Sequence, residues 1–77
     1  KAYDNCMERL HDIYPSIKDY ELKACLLIKA DVPLKNIAVN LGMEQNALSM
    51  LRARLYKKMF QAKKGSATML DDFIKSL

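Results

Sequence analysis

The sequence predicts an all-α fold of about five helices. Three observations predict it. Apolar residues recur at three- and four-residue steps in separate segments along the chain. Only two glycines and two prolines punctuate the 77 residues, too few for the turns of an all-β domain. Hydrophobic residues make up 51%, enough for a small core and too many for a disordered tail. A chain of this length makes one domain, 1–77. It divides into a lead-in helix in 1–15, a core in 16–60 and a terminal helix in 66–77.

The first helix follows from Tyr3, Cys6, Met7, Leu10, Ile13 and Tyr14, which fall on one stripe. Pro15 ends it, because the residue before a proline is pushed out of the α region. The second helix is expected to start between Ser16 and Asp19, which have the spacing of a capping pair. Asp19 and Glu21 suit its positive end. Leu22, Cys25, Leu26, Leu27 and Ile28 give it a wide apolar face, so it reads as the central core helix, ending near Ala30.

The third helix is short, from Leu34 to Leu41. Pro33 suits its start, where a missing N–H has no helical partner. Leu34, Ile37, Ala38 and Leu41 form its expected buried side, and Gly42 stops it in a left-handed position. The fourth helix runs from Glu44 or Gln45 to Phe60. Leu48, Leu51, Leu55 and Met59 share one side of it; Asn46, Met50, Ala53 and Lys57 share the other, flanked by Ser49 and Arg54. Lys63, Lys64, Gly65 and Ser66 make a break. Leu70, Phe73, Ile74 and Leu77 then form a last apolar stripe.

Several function classes fit poorly. The longest apolar run, Ala24 to Ile28, is far short of a membrane span, so no membrane contact is expected of this segment. No basic-then-apolar signal opens the chain, and it starts at Lys1, which suggests a piece of a larger protein. Cys6 and Cys25 form no CxxC pair and read as core residues rather than a bridge. His11 has no ligand partners at metal spacing and reads as a helix residue at the solvent edge. Scattered carboxylates, no catalytic Cys/His spacing and no Gly-rich phosphate loop argue against an enzyme. No cofactor or metal is expected.

The charge is unevenly placed. Residues 1–44 carry six basic and seven acidic side chains. Residues 45–70 carry Arg52, Arg54, Lys57, Lys58, Lys63 and Lys64 with no Asp or Glu. Such a segment suggests a polyanionic partner, the alternative being a solvated basic face.

Residues 34–53 sharpen that choice. Small Ala38 lets a following helix cross closely. Gly42 allows a tight turn. Met43, Leu48 and Leu51 hold the second helix to the body, which leaves its opposite face projecting, as a recognition helix must. The segment Ile17 to Met59 resembles the DNA-binding domain of LuxR-type (GerE-like) transcriptional regulators. The resemblance rests on Ile17, Lys18 and Glu21 at the opening, then Ile37, Ala38, Leu41, Gly42 and Met43, then Leu48, Leu55, Lys58 and Met59. Related helix-turn-helix modules occur in region 4 of sigma factors. The chain departs from the family pattern at Lys18, Pro33 and Glu44, where hydroxyl residues are usual, and at Ser49 and Leu51, where Lys and His are usual. Base preference therefore does not carry over.

The resemblance implies a bacterial, cytoplasmic regulator that binds double-stranded DNA, with helix 45–60 in the major groove. A homodimer and RNA polymerase are further expected partners, the dimer because paired modules read paired half-sites. Gln45, Asn46, Ser49 and Met50 are expected nearest base edges: Asn and Gln can pair with adenine, and Met can touch a thymine methyl. Arg54, Lys57 and Lys58 are the expected phosphate anchors, with Lys35 at the start of the third helix. Lys63 and Lys64 read as a solvated loop. The alternative function is a helical protein-interaction module on the same scaffold, with the Leu70–Leu77 stripe as its apolar surface.

Overall fold

The computed structural model describes residues 2–77, with side chains from Asn5 onward. The described residues form five helices and no strand: α1 (Ala2–Ile13), α2 (Asp19–Lys29), α3 (Leu34–Leu41), α4 (Gln45–Phe60) and α5 (Ala67–Lys75). Helix α2 packs against α1, α3 and α5, while α4 packs against α3 and most extensively against α5. The core draws on all five: Cys6 and Leu10 from α1, Cys25 and Ile28 from α2, Ile37 from α3, Leu48 and Leu55 from α4, Leu70 and Ile74 from α5. Tyr3, expected on the α1 stripe, has a side chain outside the described residues. Ile13, expected there too, is exposed.

Helix α2 starts inside the expected range 16–19, but Ser16 and Asp19 are not its capping pair. Its N-cap is Lys18, whose backbone N–H donates to Glu21 Oε1 at 2.9 Å. Ile17 is the reason. It is buried, so the chain enters the core there and the helix begins just beyond it. Ile17 and Leu22, both in the core, occupy the two positions of a hydrophobic staple across that cap.

Three successive helices stop at a residue in the left-handed backbone region. At the end of α3, Gly42 takes a left-handed backbone (φ 68°), Gly42 N–H reaches the Val39 carbonyl at 3.1 Å and Met43 N–H the Ala38 carbonyl at 3.0 Å. That pair of bonds is a Schellman motif. Helix α2 ends likewise through Asp31 (φ 61°); α4 also turns left-handed, at Gln61 (φ 50°), where the N–H groups of Gln61 and Ala62 both reach the Lys57 carbonyl. Leu34, expected on the buried side of α3, is half out of the core. It borders an open groove between the α2–α3 corner and α5, with Asp31 and Lys75, and stays 39% exposed there.

Two ion pairs tie α4 down. Arg52, one of the six basic residues of the 45–70 segment, is 5% exposed. Its Nε and Nη2 donate to the Asp71 carboxylate at 3.1 and 2.6 Å. The buried stripe of α4 is therefore Leu48, Arg52, Leu55 and Met59, and Leu51 sits half-buried at its margin. Lys58 Nζ lies 3.6 Å from the buried Glu21 carboxylate, which joins α4 to the start of α2.

Helix α5 is a structural partner rather than a free surface. Leu70 and Ile74 are fully buried. Burying two such side chains contributes roughly 3–6 kcal/mol, against a total stability of about 4–12 kcal/mol for a domain of this size. Turning that stripe outward to a partner protein would cost much of the fold. The interaction surface expected from Leu70–Leu77 is thus largely taken up inside the molecule.

Candidate nucleic-acid interface

The α3–turn–α4 unit determines what is presented. Ile37 and Ala38 anchor α3 in the core, and the Gly42 turn sends the chain straight into α4. Leu48 and Leu55 hold α4 by one side. The first two turns of α4 then project Gln45, Asn46, Ser49 and Met50, all exposed. Gln45 and Asn46 share an open groove with Lys35, Ala38, Val39, Met43 and Glu44. The fold thus brings Lys35 of α3 beside two of the expected base readers. Ser49 and Met50 lie one turn further along α4, with Met50 52% exposed.

The expected anchors do not share one face. Arg54 and Lys58 border a second groove with Tyr20, Glu21, Met43, Ala47 and Leu51, on the α2 side of α4. Lys57 is half-buried on the other shoulder, where Gly65 lies against its stem. Lys58 keeps its side chain half exposed while leaning on Glu21.

Glu44 is the one acidic residue bordering the Lys35–Asn46 groove. It is the N-cap of α4, and its side chain makes no capping bond. The first N–H groups of α4 have no intrahelical acceptor, as at every helix start. They face the region where an anionic group gains most from the helix dipole.

Two exposed residues beside these grooves escaped the sequence reading. Val39 is 75% exposed in the Lys35 groove, and Tyr20 is 45% exposed beside Arg54. A lone Val or Tyr off the apolar stripe of a helix is the signal, and it is weak because single exposed apolar residues are common.

No family model, curated protein or solved structure matches this chain. The geometry alone bears on function. Among the described residues no helix is long and apolar enough to cross a membrane.

Proposed function

We propose that the chain is a sequence-specific double-stranded DNA-binding domain of a LuxR-type transcriptional regulator. The supporting observation is one coincidence. The projecting start of α4 carries exposed hydrogen-bonding side chains, and it opens a segment, residues 45–70, without a single carboxylate. In this reading the first two turns of α4 enter the major groove. Asn46 and Gln45 pair with base edges, and Met50 meets a thymine methyl. Lys35, Arg54, Lys57 and Lys58 hold phosphates, which set the register without reading sequence. Glu21 holds Lys58 against the body, so this lysine reaches a phosphate already partly ordered. No catalytic role or cofactor enters the reading. The regulator works in the cytoplasm, a second copy completes a two-half-site operator, and RNA polymerase is the downstream contact.

The test is binding to labelled duplex DNA over a salt series. Groove binding predicts log K falling with log salt at about −0.9 per neutralised phosphate. A selection from random duplexes gives the preferred site, on which Asn46→Ala should lose about 1–3 kcal/mol of discrimination while random-sequence binding changes little. A chain that shows no salt-sensitive duplex binding is not a DNA-binding domain.

A further inference from the structure

Lys63 and Lys64 have, by sequence, the ordinary reading of a solvated loop. The structure gives them a defined place. Helix α4 ends at Phe60, Gln61 turns the chain, and Ala62 N–H closes on the Lys57 carbonyl at 3.0 Å. Gly65 then lies flat on α4. A Cβ there would come within 2.8 Å of Tyr56 Cδ2, 3.0 Å of Lys57 Cγ and 3.4 Å of the Ala53 carbonyl oxygen. Ser66 Oγ accepts from Met69 N–H at 3.2 Å and starts α5, which the Arg52–Asp71 pair fastens to α4. The loop is thus pinned on both sides of Lys63 and Lys64. Both are exposed, and among the described residues no carboxylate pairs with either.

Their position on α4 is informative. At 100° per residue, the Ala53–Tyr56–Lys57 side under Gly65 lies roughly 120° around the helix from Arg54 and Lys58, with Asn46 and Met50 between. A helix seated in a major groove has a phosphate strand along each flank. We propose that Lys63 and Lys64 form a second phosphate-binding arm, gripping the DNA strand on the flank of α4 opposite Arg54 and Lys58. The arm rests on the DNA-binding reading above and extends it. Two-sided attachment fixes the roll of α4 about its own axis, and so determines which of its side chains face base edges. Pinning by Ala62 and Gly65 lowers the ordering cost of the arm on binding.

The experiment measures binding of the whole chain to a short random-sequence duplex by fluorescence anisotropy over a salt series. Lys63→Gln with Lys64→Gln should flatten the log–log salt slope by about 1.8, two contacts at about 0.9 each. The affinity loss should be equal on random and selected sequences, because phosphate contacts carry no base information. Arg9→Gln with Lys23→Gln removes the same charge from exposed positions on α1 and α2 and should leave the slope near that of the wild type. An unchanged slope in the Lys63/Lys64 variant, or an equal loss in the control, overturns the arm while wild-type salt sensitivity keeps the DNA reading standing. A wild-type chain without salt-sensitive binding overturns both.

Discussion

Glu44 sits at the first cap of α4 in extended backbone (φ −78°, ψ 160°) with no side-chain capping bond. Its carboxylate gains about 0.3–1 kcal/mol from the helix dipole, and it repels any phosphate brought to the same spot. Serine there would accept a bond from the first turn, worth about 1 kcal/mol, and would remove the charge. Glu44→Ser is therefore expected to hold or raise the thermal midpoint. It should also tighten duplex binding several-fold at low salt, since one like-charge contact at the surface costs on the order of 1 kcal/mol. Unchanged binding, in calorimetry alongside a melting curve, would place the DNA away from the start of α4. Residues set by local backbone geometry were legible beforehand. Gly42 is such a case, because a left-handed stop needs no distant partner. Leu34 and Ser16 were not, because their environments depend on where α2 and Ile17 settle in the core.

The elements themselves were readable as stripes, and α3, α4 and the stop between them lie where the periodicity puts them. The binding of one element to another was less readable. On a helical wheel Arg52 falls beside Leu48 and Leu55, on the apolar side; what the wheel does not supply is the partner that lets a charge stay there, Asp71, nineteen residues later. With side chains 6% and 18% exposed, the pair is largely removed from water. Removing one partner strands the other, at about 3–5 kcal/mol. Asp71→Ala should accordingly lower the stability read from urea unfolding by about 3–5 kcal/mol, a large share of the total. Arg52→Met combined with Asp71→Leu should recover much of that loss, because a packed apolar pair needs no desolvation of charge. A change below about 0.5 kcal/mol for Asp71→Ala would mean that the pair behaves as a surface contact. The functional consequence is direct: α5 braces the helix proposed to read DNA.

At the scale of the whole molecule, Cys25 reports the integrity of the core. Burial pushes its thiol up to about 12, with smaller contributions from Cys6, Glu21 and Asp71. An unfolded thiol titrates near 8.5. Below that pH both states keep the proton and the contribution is fully present. Between about 8.5 and 12 only the unfolded chain releases it, so stability falls as pH rises. Unfolding by urea should show wild type losing on the order of 1–2 kcal/mol more than Cys25→Ala between pH 8 and about 10. Identical pH profiles would mean that the thiol is not sealed in the folded state. Cys6, also raised by burial, reinforces the reading of both cysteines as core residues without a bridge.

Sequence alone determined the all-α class, the helix boundaries to within a few residues, the glycine stop and the concentration of positive charge after residue 44. These are properties of neighbours along the chain: periodicity, backbone freedom and composition. Tertiary structure alone decided that Arg52 meets Asp71, that α5 is a brace rather than a free surface, and that Glu21 holds Lys58. It also decided that Gly65 packs on the Tyr56–Lys57 side of α4, away from the groove that Arg54 borders. The physical reason is common to all of these. Whether a charge meets water, a carboxylate or a ligand depends on residues brought together from distant parts of the chain, and no local pattern encodes that meeting.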